Sequence, residues 1–267
     1  MVDNLGSLRD SNLQKALLSC SLEHFVSFIS LLPLLSFLSC AAIAVFWHYE
    51  ETTVFHCYVA NYVPSISAAI GGYMPEKFIW NIGIALHCLP RITLFPAAFH
   101  KYYRSTSAGR QYNLTTWWFW ILNLAAYIVQ VVENGALLTL TFISFSENFA
   151  IHEISLMVFM VSSMLYMFIS CILLKLIAAK PMTIEESTLY KRAVSIMLFN
   201  YCSFGLAMWF YYKHTIHCVQ GMYTLFALFE YCTILSNIAF HWNCLTGHFR
   251  GAVMSLAFND NCPSHSE

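Results

Sequence analysis

The chain has 267 residues, of which 58% are hydrophobic and 10% charged, and its formal net charge is -1. That composition belongs to the membrane class and leaves no excess of either charge for a nucleic-acid partner. Six long apolar runs use most of the length, so no separate soluble domain is expected.

The amino-terminal segment, 1–24, is polar and reads as cytosolic. It lacks the form of a cleavable signal peptide, and the apolar run behind it is too long for a signal core. The first span is therefore expected to act as a signal anchor. The runs lie at 25–46, 78–99, 115–145, 154–177, 193–212 and 221–241. Each meets the length of about 20 residues that a helix needs to cross a bilayer. The sequence predicts an all-α polytopic membrane bundle with six transmembrane helices across 25–242, followed by a cytosolic tail at 243–267.

The cations set the orientation. Arg9, Lys15, Lys101, Arg104, Arg110, Lys175, Lys180, Lys191, Arg192 and Arg250 fall on one side of the spans, against Lys77 and Lys213 on the other. By the positive-inside rule both termini are cytosolic. The loops at 48–77, 146–153 and 213–220 are then luminal or extracellular. Of the ten cysteines, only Cys57 and Cys218 fall in those loops. Disulfides persist on the oxidising side, so a Cys57–Cys218 bridge is the natural pairing, the alternative being two free thiols. The sequon at Asn113 falls on the cytosolic side, where it is not glycosylated. In the first luminal loop Pro64 and the Gly71-Gly72 pair mark turns. The stretch between them is too short to span, and it predicts a re-entrant or surface-lying helix beginning at Ser65.

Three spans each carry one charge, Arg91, Glu133 and Glu230. A charge at mid-membrane costs about 2.5–3.5 kcal/mol on insertion scales, so it faces a partner or a polar cavity. Counting at about 1.5 Å per residue sets all three about 14–20 Å below the luminal face, where one arginine between two carboxylates would form a buried triad. Glu230, Asn237 and His241 share one side of the sixth span. Asn123, Gln130, Asn134 and Thr141 form a stripe on the third, beside Glu133. His87 and Arg91 stand one turn apart on the second. These groups either glue helices together, bind a polar head group and move protons, or line an ion path. No metal-ligand spacing is present, and neither a metal nor a cofactor is expected.

The segments Glu51-Thr-Thr, Cys57, Asn61-Tyr-Val-Pro-Ser-Ile-Ser-Ala-Ala-Ile-Gly71, Val132-Glu-Asn134, Ser146-Glu-Asn-Phe-Ala-Ile-His-Glu153, Gly221-Met-Tyr-Thr-Leu-Phe-Ala-Leu-Phe-Glu-Tyr231 and Asn237-Ile-Ala-Phe-His241 follow one another in the chain. Together they resemble the post-GPI attachment to proteins factor 2 family. The resemblance implies a multi-pass protein of the Golgi membrane, with the endoplasmic reticulum as a second location. It implies lipid remodelling of GPI anchors, in which an unsaturated sn-2 chain is removed and a saturated chain is added back to lyso-GPI. GPI-anchored proteins, the lyso-GPI lipid and membrane lipid are the implied partners, and the acyl donor is left open.

Reacylation needs a base for a glycerol hydroxyl and donors for an oxyanion. The catalytic candidates are His87, Glu133, His152 and Glu153, with His56 as a further base. Arg91, Asn134, Glu230, Asn237 and His241 are candidates for a substrate-binding or structural polar core. Three classes stay open: a lyso-GPI acyltransferase, a non-catalytic lipid-binding or accessory protein, and a transporter. The scarcity of charge in the cytosolic halves of the spans argues against the last.

Overall fold

A computed structural model describes residues 16–54, 57–107, 117–178, 181–249 and 253–257. Arg9, Lys15, His56, Arg110, Asn113, Lys180 and Arg250 lie outside the described residues. In chain order the elements are β1 (Ala16–Ser21), α1 (Leu22–Trp47), α2 (Tyr49–Thr53), α3 (Ile66–Gly71), α4 (Glu76–Ser107), α5 (Trp117–Phe142), α6 (Phe149–Ile177), α7 (Ile184–His217), α8 (Met222–Phe249) and β2 (Val253–Ala257).

Among the described residues, α1, α5, α6, α7 and α8 are long and apolar enough to cross a membrane. The expected six spans are thus met by five helices on that measure. The remaining expected span, at 78–99, lies on α4, where Glu76, Lys77, Asn81, His87 and Arg91 dilute the apolar character. The six long helices nevertheless close a ring: α1 packs on α4, α4 on α5, α5 on α6, α6 on α7, α7 on α8, and α8 returns to α1. The α1–α4 seam is close because it is made of small residues. A Cβ at Gly83 would collide with Ser36 Oγ, so the two backbones approach in the way small residues allow in membranes.

Three boundaries differ from the hydropathy reading, two of them for a capping reason. Asn148 accepts a hydrogen bond from the Ile151 N–H at 3.1 Å and starts α6 at Phe149. His152 and Glu153, expected in a loop, therefore sit in a helix. Thr183 and Glu186 form a reciprocal capping box, with bonds of 3.2 and 2.9 Å, and α7 begins at Ile184 instead of 193. At the other end α8 continues to Phe249, past the expected end of the membrane domain at 242.

Two elements are strands. β1 and β2 pair antiparallel, from Ala16↔Ala257 to Ser21↔Val253. Because α1 and α8 are neighbours in the ring, the chain entering one and leaving the other can satisfy their backbone groups mutually.

The loop after α1 folds back into the ring. α3 is capped by Ser65, whose Oγ accepts from the Ala68 N–H at 3.2 Å, so the helix begins where the sequence predicts. Its Ile66, Ala69 and Ile70 are buried in one cluster with Phe37 and Cys40 of α1, Trp80 and Ile84 of α4, and Phe159 of α6. α3 is thus a core element on the inside of the bundle. The same loop is tied to the turn after α7 by a Cys57–Cys218 disulfide.

That bridge closes a loop with a sequence separation of 161, worth about 5 kcal/mol in the chain-entropy picture. Non-reducing peptide mapping should recover Cys57 and Cys218 in one linked pair. Cys57→Ala, Cys218→Ala and the double variant should all lower the melting temperature by the same amount, because each removes the same cross-link.

Candidate active site

Two polar centres lie inside the ring. The deeper one is organised by Arg91 of α4, which is 1% exposed. Its Nη2 donates to Glu133 Oε1 of α5 at 3.2 Å and to His241 Nδ1 of α8 at 2.9 Å, and its Nη1 donates to His87 Nε2 at 3.3 Å. A carbonyl fixes the His87 imidazole. His87 Nδ1–H donates to the Ile29 carbonyl of α1 at 2.9 Å, leaving Nε2 for Arg91. The His241 ring turns both nitrogens to the ion pair: Nε2 stands 2.8 Å from Arg91 Nη2 and 3.0 Å from Glu133 Oε1. Tyr166 of α6 stacks on the His241 ring at 5.0 Å between centroids. One guanidinium therefore gathers groups from α1, α4, α5 and α8.

Asn134 and Gln130 support this centre from α5. Gln130 Nε2 donates to the Arg91 carbonyl at 3.4 Å, and Asn134 Nδ2 to the Gln130 carbonyl at 2.7 Å. Asn237 bonds to Ser163 of α6. The expected triad is only partly assembled: Arg91 meets Glu133, but Glu230 is elsewhere. His241, eleven residues further along α8, takes the second acceptor position. That spacing is about 16 Å of helix, so Glu230 and Arg91 occupy different levels.

Glu230 serves the second centre. Its Oε2 accepts from the Ile66 N–H of α3 at 3.0 Å. Around it α8 grips the approach to α3: the Tyr223 hydroxyl donates to Ser65 Oγ at 2.9 Å, and the Tyr231 hydroxyl to the Pro64 carbonyl at 2.6 Å. α3 lies along a cavity of ≈ 120 Å³ lined by Ser65, Ser67, Ala68, Phe145, Phe149, His152, Glu153, Leu156, Met157, Met208, Tyr211, Tyr223, Phe226 and Glu230. His87, Glu133 and Arg91 do not line it.

At the polar end of this cavity stands His152, 5% exposed. Its Nδ1–H donates to the Ile143 carbonyl at 2.9 Å, which in the neutral imidazole makes Nε2 the acceptor. The Ser67 hydroxyl of α3 donates to that Nε2 at 3.1 Å. Glu153 lines the same cavity with its side chain exposed.

The carbonyl that orients His152 belongs to a braced turn. Glu147 Oε2 accepts from the Ser144 N–H and hydroxyl, both at 2.9 Å, and Lys77 Nζ donates to Glu147 Oε1 at 2.8 Å. The Lys77 hydrogen bond, helped by the two from Ser144, holds the Glu147 carboxyl down at about 2. The brace therefore keeps its charge from neutral pH down to strongly acid pH. Gly71, at the end of α3, abuts this turn, where an added Cβ would come within 3.3 Å of Ser144 Cβ.

Of the sequence candidates, His152 and Glu153 border the cavity; Ser67 borders it too and was not among them, since nothing in the spacing distinguishes it from its neighbour Ser65.

A closed ring of apolar helices, with an ion pair buried at its centre and a largely apolar cavity beside α3, defines a polytopic helical membrane protein. The chain belongs to the post-GPI attachment to proteins factor 2 family, within the Frag1/DRAM/Sfk1/Cwh43P N-terminal domain group whose profile matches residues 21–247. It is 37% identical over 245 residues to post-GPI attachment to proteins factor 2 of Caenorhabditis elegans, covering 91% of each chain. It is 36% identical over 210 residues to acyltransferase PGAP2 of Xenopus tropicalis, covering 79% of this chain and 81% of that one. The Drosophila melanogaster post-GPI attachment to proteins factor 2 is 34% identical over 212 residues, 79% of each. No solved structure matches the chain.

Each centre has its own mutational signature. Arg91→Leu should destabilise the protein by about 3–5 kcal/mol, because Glu133 is left buried without its guanidinium partner. Arg91→Leu with Glu133→Leu should be the more stable of the two variants, read as the midpoint of thermal unfolding in detergent. Glu230→Leu strands the Ile66 N–H at a cost of about 1–3 kcal/mol. Glu230→Gln keeps an acceptor there and should melt close to wild type.

Proposed function

We propose that this chain adds a saturated acyl chain to lyso-GPI from the luminal leaflet of the Golgi membrane, with the endoplasmic reticulum as a second location. The observation that carries the reading is His152, whose Nε2 faces the Ser67 hydroxyl in the wall of an apolar cavity, its Nδ1 being held by the Ile143 carbonyl. Acyl transfer to an alcohol needs a base within hydrogen-bond reach of the attacking oxygen and a dry chamber for the chain. His152 is the base, and Phe145, Leu156, Met157, Met208 and Phe226 are the chamber walls. The names borne by the relatives support the same chemistry: two of them, from Xenopus tropicalis and Danio rerio, are called acyltransferases, and others are named for a step after GPI attachment.

In this reading α4 is the sixth span. It completes the ring, and its one mid-span charge is paired inside the bundle. The disulfide end faces the lumen, because disulfides persist there. The amino-terminal segment and the tail then lie in the cytosol. His87, Glu133, Asn134, Asn237 and His241 hold Arg91 and the helices around it, Glu230 holds α3 against the cavity, and Glu153 meets the lipid head group at its edge.

Purified protein in nanodiscs should be given lyso-GPI with a saturated acyl-CoA, and separately with a saturated phosphatidylcholine. Wild type should form diacyl-GPI with one of the two donors. His152→Ala, at wild-type yield and melting temperature, should be slower by about 10²–10⁴. Failure to form product with either donor, from protein that restores surface display of GPI-anchored proteins in null cells, would replace catalysis with an accessory role.

A further inference from the structure

Ser67 and His152 have the arrangement of an activated nucleophile. In that arrangement a hydroxyl donates to a base, and the base is oriented through its other nitrogen by a third group. Here the third group is the Ile143 carbonyl, and the distances are 3.1 and 2.9 Å. We propose that Ser67 is the nucleophile of the reaction, and that acyl transfer proceeds through a covalent acyl-serine on α3. This rests on the acyl-transfer reading above and specifies its mechanism.

Three observations favour a covalent route over direct attack by the substrate hydroxyl. The lone pair of His152 that a substrate alcohol would need is already taken by Ser67. The serine is also held on a fixed element. Glu230 holds Ile66 N–H, Tyr223 holds Ser65 Oγ, and Tyr231 holds the Pro64 carbonyl, so the three residues before Ser67 are each tied to α8. A nucleophile held by bonded neighbours on a packed helix keeps its attack geometry without further ordering. Finally, Ser67 lines the cavity whose apolar walls would receive the chain it carries.

The chemistry balances with an ester or thioester donor. In the first half, His152 Nε2 takes the Ser67 proton and Oγ attacks the donor carbonyl. The C–O or C–S bond to the leaving group breaks, an oxyester to Ser67 forms, and His152 returns the proton to the departing alkoxide or thiolate. In the second half, His152 takes the proton of the lyso-GPI glycerol hydroxyl, which attacks the acyl-serine carbonyl. The new glycerol ester forms, the bond to Oγ breaks, and the proton passes to Ser67. Nothing is oxidised or reduced.

The test separates the two halves. Wild-type protein in nanodiscs is given a saturated acyl-CoA or a saturated phosphatidylcholine without lyso-GPI, quenched in denaturant and mapped by mass spectrometry. One acyl chain on the peptide containing Ser67 is expected, stable to neutral hydroxylamine and lost on adding lyso-GPI before the quench. Ser67→Ala should show no adduct and a turnover lower by about 10²–10⁴. Ser67→Cys should carry the chain as a thioester, released by neutral hydroxylamine. Diacyl-GPI formed by wild type with no adduct on Ser67, or by Ser67→Ala at the wild-type rate, overturns the nucleophile and leaves the acyltransferase reading intact. Absence of diacyl-GPI from wild type with both donors overturns both. If Ser67→Ala does not fold, the adduct map of the wild type decides.

Discussion

A guanidinium inside a bilayer must find its acceptors within its own chain, and in this protein Arg91 finds three. Glu133, His241 and His87 converge on it from α5, α8 and α4, and His87 passes the constraint on to the α1 backbone. Hydrocarbon offers no alternative partner, so these bonds fix how the helices face one another. The ring closes around this point. α4, the most polar of the six long helices, is held there by the same residue that lowers its hydropathy. A buried ion pair is weak as a source of net stability, yet costly to break, which suits it to setting register.

The second constraint acts at the other end of the bundle. The chain between α1 and α4 is long enough to lie outside as a loop, and instead it packs inward as α3. Its backbone must then be satisfied inside the protein. Glu230, Tyr231 and Tyr223 meet that need from α8, and the Cys57–Cys218 bridge shortens the excursions open to the loop. The consequence is chemical as well as structural. With α3 fixed, Ser67 faces His152 of α6, and the α5–α6 turn, braced by Glu147, presents the Ile143 carbonyl to the far side of the same ring. Three separate stretches of sequence supply one line of hydrogen-bonded atoms.

The two polar centres divide the ionisable residues between different tasks. Arg91, Glu133, His87 and His241 bond to one another and lie away from the cavity. His152 and Glu153 border the cavity, and Glu230 reaches it only to hold the backbone of α3. Equal depth along each helix was a poor guide to this division, because the helices start at different levels and one carboxylate was claimed by a re-entrant segment that hydropathy alone does not weigh.

The sequence by itself determined the apolar runs, the residues that could not remain unpaired within them, the two cysteines of the bridge and the start of α3 at Ser65. These are local or compositional properties: an apolar run, a buried charge, a turn before a capping serine. The capping box at Thr183 and Glu186 and the cap at Asn148 were equally legible by spacing, and they moved the helix ends that hydropathy had set. Only the tertiary structure decided which partner each charge would take. His241 rather than Glu230 joined Arg91, and Ser67 rather than any other serine met His152. Those choices depend on the relative height and rotation of helices far apart in the chain, quantities that residue spacing within one helix cannot encode.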